Sequence, residues 1–111
     1  MIRLVYVTTP DVDSAKKIGR SLVEDRLAAC VNILPQMQSI YRWDEKIEEA
    51  HEAILIVKTT AERVPEVMAR VKALHSYEVP CALSVPVLAG NPEYLSWLAT
   101  AADGAGAGKS P

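Results

Sequence analysis

The sequence predicts an α+β domain of the ferredoxin-like type, a split βαβ arrangement with an antiparallel sheet, two helices on one face and a short helix added at the C-terminal end. Three observations predict it: strand and helix patterns follow the order β-α-β-β-α-β, both long helical patterns are amphipathic, and two strand patterns form one long hairpin. A chain of 111 residues builds one core, so we place a single domain at residues 1–100. Residues 101–111 are rich in glycine and lack large apolar side chains, which predicts a disordered tail.

The chain begins with a strand pattern and a helical pattern. Residues 2–8 are β-branched and apolar on both faces, as in a strand at the centre of a sheet. Thr9 then offers a capping hydroxyl, and Pro10 suits the first position of a helix. Apolar residues recur at spacings of three and four, opposite a charged side, and predict an amphipathic helix: Val12, Ala15, Ile18, Leu22 and Val23.

Two extended segments on either side of residues 44–46 predict a long hairpin with a turn at those residues. The first arm comprises residues 29–34 and 39–43, with Pro35 at a bulge or bend between them. The return arm runs from residue 47 to residue 57. Its length predicts that the tip projects beyond a domain of this size.

The second half of the chain predicts a helix, an edge strand and a short last helix. Thr59 and Glu62 resemble a capping box at the start of the second helix. Residues 81–89 alternate as a strand, and Pro86 predicts an edge position because proline cannot donate a hydrogen bond to a neighbouring strand. Asn91, followed by a proline, predicts the N-terminus of the last helix.

One face of the predicted sheet should be uncovered. Two helices cannot cover both faces, yet the first and third strands are apolar on both. The hairpin also carries Tyr41 and Trp43 beyond the reach of either helix. Because exposed apolar surface and open strand edges favour association, we expect other copies of the chain to cover them, as in a homo-oligomer.

Charge and hydropathy exclude several partners. The net charge is −2, from 12 Lys and Arg residues against 14 Asp and Glu residues. The chain therefore has no excess of positive charge to attract the phosphates of nucleic acid. The longest apolar run, residues 53–57, is far shorter than the roughly 20 residues that span a bilayer. No signal peptide is recognised, so we expect a cytoplasmic protein without a membrane contact. We interpret Glu52 and Lys58 as pairing on exposed strand positions.

Catalytic motifs are absent from the sequence. The predicted domain contains only two glycines, Gly19 and Gly90, so it has no glycine-rich loop that could bind a phosphate. A nucleophilic Cys30 would need a base, but His51 is expected towards the hairpin tip and His75 at the end of the second helix. We therefore expect no enzymatic activity, with a hydrolase that depends on Cys30 as an alternative.

The connection between the second helix and the last strand holds the densest group of polar side chains, namely His75, Tyr77, Glu78 and Cys81. Soft metal ions prefer thiolate and imidazole ligands, so His75 and Cys81, with Cys30 from another strand or subunit, could bind copper or zinc. No CxxC or HxxxH motif accompanies them. The alternative interpretation is that His75 caps the end of the helix or packs there.

Five motifs occur in a set order and spacing along the chain: AACVNI at 28–33, SIYRW at 39–43, KTT at 58–60, HSYEVP at 75–80 and YLSWL at 94–98. They resemble the CutA family of divalent-cation-tolerance proteins, and the resemblance covers residues 2–98. It implies a tight homotrimer with long hairpins that cross to neighbouring subunits, similar in architecture to the nitrogen-regulatory PII signalling proteins. Members are associated with tolerance to copper and other divalent metals, and some bind copper. The family has no generally accepted catalytic activity.

The resemblance also implies a cleft between subunits that the matched motifs line, which here means Cys30, Tyr41, Arg42, Trp43, Lys58, His75 and Tyr77. This sequence departs from the family at Cys81, where most members have a glutamate, and at Ser76, where a proline usually follows the histidine. Some members have a cysteine in the first strand, where this chain has Val7. A thiol at position 81 would favour Cu(I) over Mg²⁺ or Mn²⁺.

Two functions follow as predictions. The first is a non-enzymatic homotrimer of divalent-metal tolerance that binds copper or a related ion in the clefts, with Cys30, His75 and Cys81 as candidate ligands. The alternative is a PII-like signalling module whose clefts bind a small anionic metabolite through Lys58 and Arg42.

Overall fold

The computed structural model describes residues 1–103, which form four strands, three α-helices and one 3₁₀ turn. Most of the predicted tail, residues 104–111, lies outside the described residues. Among the described residues, no helix is both long and apolar enough to cross a membrane. The elements in chain order are β1 (Ile2–Thr9), α1 (Val12–Glu24), β2 (Cys30–Trp43), β3 (Lys46–Thr60), the 3₁₀ turn (Ala61–Arg63), α2 (Val64–Leu74), β4 (Ala82–Pro86) and α3 (Pro92–Ala102).

The four strands form one sheet in the order β2-β3-β1-β4, and every neighbouring pair is antiparallel. β1 and β3 therefore lie at the centre of the sheet. β4 lies at an edge, as Pro86 predicts. The α+β class, the antiparallel sheet, the split βαβ order and the added C-terminal helix are all confirmed.

The core lies between one face of the sheet, here called the first face, and helices α1 and α2. Alternate residues of the central strands point to this face, because successive strand side chains point in opposite directions. Burying each large apolar side chain contributes about 1.5–3 kcal/mol. The buried cluster joins these residues to one stripe from each helix: Val5, Val7, Leu55, Val57, Ala15, Ile18, Leu22, Val67 and Val71.

The opposite face of the sheet, the second face, is also apolar but only partly covered. α3 lies against β3 and β1 and reaches Lys58 at one end of this face. Leu83 and Val85 on β4 remain 59% and 46% exposed. The partly uncovered face predicted from the sequence is therefore present, and its covering by other copies remains a prediction. Its apolar residues are Leu4, Tyr6, Ile54, Ile56, Leu83 and Val85.

β2 and β3 form a hairpin that extends past the end of β1. The last pair between β1 and β3 joins Thr9 and Ala53, so among the described residues only β2 flanks residues 46–52. The turn has two residues rather than the three predicted, Asp44 and Glu45, both with positive φ (52° and 67°). Two positive φ values are typical of a type I′ turn, whose twist matches that of a hairpin. The long projecting hairpin is confirmed.

The start of α1 differs from the prediction. Asp11, not Thr9, caps the helix, and its carboxylate accepts a hydrogen bond from the N–H of Ser14 at 2.7 Å. This bond lowers the pKa of Asp11 because it stabilises the ionised form. Thr9 ends β1, and its hydroxyl donates to the Asp11 carbonyl at 2.8 Å. Pro10 therefore precedes the cap and is not the first helical residue.

The start of α2 also differs from the prediction. The Thr59–Glu62 capping box does not form, because the Thr59 hydroxyl donates to the Leu27 carbonyl at 2.6 Å and Thr60 is the residue before the 3₁₀ turn. α3 ends at Ala102, so the predicted domain boundary at residue 100 falls inside a helix.

Two features of the edge strands can be compared with the sequence. A β-bulge lies between Leu34 and Met37, where the bend near Pro35 is predicted. The bulge shifts the register without ending β2, so the two extended segments are one strand. β4 covers only Ala82–Pro86 and is shorter than the predicted 81–89.

Candidate functional site

His75 holds the loop between α2 and β4 against the end of β1. Its Nε2 lies 2.7 Å from the carbonyl oxygen of Thr8, and because a carbonyl can only accept, Nε2 is the donor. Nδ1 accepts a hydrogen bond from the N–H of Tyr77 at 3.1 Å. Both ring nitrogens are thus occupied, as in the Nε2–H tautomer. A metal ion could bind this ring only if one of the two bonds broke.

Tyr77 extends from the same loop to the hairpin. Its hydroxyl donates to Oε2 of Glu52 at 2.9 Å, and its ring centroid lies 4.6 Å from that of His75. Burial, the hydrogen bond and the charge of Glu52 raise the pKa of Tyr77 to about 12, so the hydroxyl keeps its proton at neutral pH. Glu52 is only 8% exposed, so its prediction as an exposed strand position is wrong.

An open groove of about 380 Å³ lies beside this cluster, where α1 begins and β2 bulges. Its titratable lining residues are Asp11, His51 and Glu52. Within residues 1–103, however, no group of three or more His, Cys, Asp or Glu side chains is placed to hold a metal ion. The described part of the chain therefore offers separate polar groups at this groove and no assembled metal centre.

A second group of polar side chains, the Lys58 cluster, consists of Cys30, Lys58 and Tyr94. Nζ of Lys58 donates to Oη of Tyr94 at 3.1 Å and lies 5.4 Å from the ring centroid. Cys30 pairs with Lys58 across β2 and β3, and its Sγ lies 3.7 Å from the same Tyr94 oxygen. All three residues are partly buried. Lys58 thus contacts a tyrosine of α3 and, among the described residues, does not form the predicted surface pair.

The three candidate metal ligands do not meet within one subunit. Cys30 lies on β2 and Cys81 directly precedes β4, at opposite edges of the sheet. Cys30 also aligns through β3 and β1 with Val85, four residues beyond Cys81. With about 4.8 Å between strands and about 3.3 Å per residue, the two thiols are on the order of 20 Å apart. His75 lies towards the Cys81 end, beside Thr8.

The other predicted cleft residues lie on the projecting hairpin. Tyr41 and Trp43 are two residues apart and point to the same side of β2, and Trp43 is 57% exposed. Arg42 lies on the opposite side, because neighbouring strand residues point to opposite faces. It pairs with Ile47, so it is roughly 35 Å along β3 from Lys58. A single subunit therefore does not bring together the two cationic contacts of the metabolite-binding alternative.

Glu52, Thr8 and Tyr94 are the contact residues that sequence reasoning missed. Glu52 shares the alternation of Ile54 and Ile56, so a period of two already indicates that it lies on the second face with apolar residues. Tyr94 lies in the YLSWL motif at 94–98, but no local pattern shows which strand α3 contacts. No sequence pattern singles out the carbonyl of Thr8, because every residue has a backbone carbonyl.

The fold and the two clusters define a class: small α+β proteins of the split βαβ type, with a polar loop at one end of the sheet and a partly uncovered apolar face. The family model described as "CutA1 divalent ion tolerance protein" matches residues 3–101. The chain therefore belongs to the CutA1 family, which confirms the resemblance found in the sequence.

Individual relatives agree with the family. The divalent-cation tolerance protein CutA of Thermus thermophilus is 49% identical over 98 residues, which cover 88% of this chain and 95% of that protein. A crystal structure of CutA from Xylella fastidiosa has a TM-score of 0.89 at 47% identity and covers 92% of this chain and 98% of its own. The structure of the periplasmic divalent cation tolerance protein CutA from Archaeoglobus fulgidus has a TM-score of 0.86 at 44% identity, over 88% and 95% of the two chains. Two of these names state cation tolerance, and none states a catalysed reaction.

Proposed function

We propose that this chain acts in tolerance to divalent metal ions, copper among them, as a non-enzymatic homotrimer that binds the ion in clefts between its subunits. Membership of a divalent ion tolerance family supports the role in tolerance. The partly uncovered apolar second face is the observation that carries the assembly, because contiguous apolar surface marks a contact with another molecule. We also propose a cytoplasmic location, which cell fractionation tests.

The sheet edges support the same assembly. Within residues 1–103 nothing pairs with the outer edge of β2 or of β4, so each edge presents free N–H and C=O groups. β4 is short and contains Pro86, which limits pairing there. β2 spans Cys30–Trp43 and is the longer edge. An edge of this length favours pairing with a strand of another copy.

The projecting hairpin supports contacts between subunits as well. It holds apolar and aromatic side chains that extend beyond the sheet, where no helix of the described residues covers them. Full burial of a large apolar side chain contributes roughly 1.5–3 kcal/mol, and each of these side chains lacks part of that contribution. A neighbouring subunit is the occupant we propose for this surface, which comprises Ile40, Tyr41, Trp43 and Ile47.

The metal-binding positions combine side chains of different subunits in this proposal. Within one subunit, Cys30 and Cys81 are far apart, and both nitrogens of His75 are hydrogen-bonded. Cys81 is a partly buried free thiol in the loop that His75 holds. Thiolates favour Cu(I) and Zn(II). One subunit has no two thiolates close together, whereas thiolates from different subunits of a trimer can bind the same ion.

Sedimentation equilibrium on the parent and on Ile56→Glu tests the assembly. The parent should sediment as a trimer, and the variant should dissociate because a carboxylate on the second face cannot be buried without a partner. Lys72→Glu, on an exposed position of α2, is the control and should stay trimeric. A parent that sediments as a stable single chain at micromolar concentration contradicts the proposal.

Titration of the reduced protein with Cu(I) and with Zn(II) tests the metal positions. Cys81→Ser should weaken Cu(I) binding most, because a hydroxyl is a poor ligand for a soft ion. His75→Ala and Cys30→Ser are titrated in the same way, and Ser76→Ala, next to the histidine, is the control. Unchanged stoichiometry and affinity in all three variants would remove Cys30, His75 and Cys81 as ligands.

A further inference from the structure

Lys58 places a positive charge on the second face without a negative charge beside it. Its contacts within residues 1–103 are the hydroxyl and the ring of Tyr94. Its register neighbours are Leu4 on β1 and Cys30 on β2, and neither is a carboxylate. A partly buried ammonium group loses some of the stabilisation that water gives its charge. A neutral partner replaces only part of that stabilisation.

Two other partly buried cations of this chain have carboxylate partners, whereas Arg3, among the described residues, donates only to the hydroxyl of Ser84, at 3.4 Å. Arg63 lies 2.8 Å from a carboxylate oxygen of Glu66, and Arg70 lies 2.7 Å from one of Asp25. Both arginine side chains are 29% exposed. Lys58 therefore differs from Arg63 and Arg70 in the charge of its partner, and like Arg3 it has only a neutral one.

The Lys58 cluster also has more hydrogen-bond donors than acceptors. Lys58 has three N–H donors, Tyr94 one O–H and Cys30 one weak S–H. The Tyr94 oxygen accepts from Lys58, which leaves its own proton free to donate. The Cys30 sulfur lies 3.7 Å from that hydroxyl, and sulfur accepts only weakly. The cluster thus has a positive charge, unused donors and no strong acceptor for them.

We propose that the Lys58 cluster binds an oxyanion, the carboxylate or phosphate group of a small molecule, through Nζ of Lys58 and Oη of Tyr94. An oxyanion supplies the negative charge and the acceptors that the cluster lacks, and charge-assisted hydrogen bonds to it are the strong ones. The hydrogen bond to Oη of Tyr94, 3.1 Å from Nζ, positions the ammonium group. The groups proposed to hold the oxyanion are Nζ of Lys58 and Oη of Tyr94, whereas the metal proposal uses only the Cys30 thiol of this cluster.

Isothermal titration of the whole protein with inorganic phosphate, and separately with malonate, tests the proposal at an ionic strength held constant with sodium chloride. At least one of the two ions should bind saturably, and comparing them shows whether the site prefers phosphate or carboxylate. Lys58→Met should weaken binding about tenfold or more, because the charge and its donors are lost. Lys58→Arg keeps the charge and should stay within about threefold of the parent.

Tyr94→Phe tests the second donor and carries the test if Lys58→Met does not fold. It keeps the ring and removes only the hydroxyl, so binding should weaken by about threefold to tenfold. Lys72→Met, which removes an exposed lysine from α2, is the matched control and should bind like the parent.

Three results would overturn the proposal. The first is that neither ion binds the parent saturably. The second is that Lys58→Met binds as the Lys72→Met control does. The third is that Lys58→Met changes only the association of subunits, which would assign the missing negative charge to a carboxylate of a second copy. None of them decides the metal proposal, which the Cu(I) titration tests.

Discussion

The hydroxyl of Tyr77 donates to Glu52 at 2.9 Å and joins the loop after α2 to the hairpin, at the point where β1 ends. His75 makes the neighbouring bond, from its ring to the carbonyl of Thr8. The two bonds fix a loop that contains Cys81 against the central strand and the hairpin at once. A shift of the hairpin relative to the rest of the sheet would therefore displace the loop through the hydrogen bond between Tyr77 and Glu52.

Tyr77→Phe should lower the free energy of unfolding at neutral pH by about 0.5–1 kcal/mol. This lies below the usual value for a bond to a charged group because Tyr77 is 37% exposed. The folded-state pKa of about 12 lies above the unfolded value of 10.0, so the bond's contribution is complete below pH 10 and is lost as the pH rises towards 12. Urea unfolding between pH 7 and pH 11.5 measures this, and the gap between parent and variant should narrow above pH 10.

Ser96→Ala is the control for this comparison, because it removes a hydroxyl that does not titrate in this range from an exposed position of α3. Its effect on unfolding should be small at every pH. If the gap between the parent and Tyr77→Phe stays constant up to pH 11.5, folding does not raise the pKa of Tyr77.

Gly19→Ala should destabilise the protein although alanine favours helices. A Cβ at Gly19 would lie 2.8 Å from Cγ2 of Val31 and 3.3 Å from Cδ1 of Leu55, both held in the core. Overpacking of this kind costs about 1–3 kcal/mol, against a gain of about 1 kcal/mol from helix propensity. Urea unfolding should show a net loss.

A double-mutant cycle with Val31→Ala separates the two effects. Val31→Ala removes the Cγ2 that a Cβ at Gly19 would meet. In that background Gly19→Ala should be neutral or stabilise by up to about 1 kcal/mol, since only the looser 3.3 Å contact with Leu55 then opposes the gain in helix propensity. Equal effects of Gly19→Ala in both backgrounds would show that the contact with Val31 is not what requires glycine.

The elements that could be predicted from the sequence are those that a local period determines. A short β-branched run that is apolar on both faces identified β1, two extended segments around a turn identified the hairpin, and the spacing of three and four identified α1. The cap of α1 could not be fixed in this way, because Thr9 and Asp11 both have oxygens that accept hydrogen bonds and only the backbone shows which one meets Ser14.

The candidate site was predictable only in part, because its contacts join residues distant in sequence. The loop with His75 and Tyr77 is dense in polar residues, and the sequence shows this. Tyr77, however, meets Glu52, which is 25 residues earlier, and Lys58 meets Tyr94, which is 36 residues later. These pairs depend on where β1 ends and on which strand α3 lies, and no local pattern contains that information.

Glu45→Gly should stabilise the hairpin turn. Asp44 and Glu45 both have positive φ, which costs a residue with a side chain about 1–2 kcal/mol but costs glycine almost nothing. The gain should be about 0.5–1 kcal/mol, because glycine also gives the unfolded chain more freedom. Thermal unfolding at fixed protein concentration measures it. Glu49→Gly, within β3, is the control and should lower stability; if Glu45→Gly lowers it equally, the turn is not strained.

Arg63→Met should release the C-terminal end of α3. Nε of Arg63 donates to the Ala102 carbonyl at 3.1 Å and Nη2 to the Asp103 carbonyl at 2.9 Å, so one guanidinium satisfies the end of the helix. A lysine could not make both bonds with the same geometry, so Arg63→Lys should restore little. Hydrogen exchange should become faster across α3.

Arg20→Met is the control for this release. Arg20 forms a 3.8 Å surface ion pair with Glu24, and exposed pairs contribute only about 0–1 kcal/mol, so its loss should leave exchange in α3 unchanged. Because α3 carries Tyr94, faster exchange in Arg63→Met should be accompanied by weaker binding of phosphate or malonate at the Lys58 cluster. If α3 opens without any change in that binding, Tyr94 does not hold the oxyanion from its place on the helix.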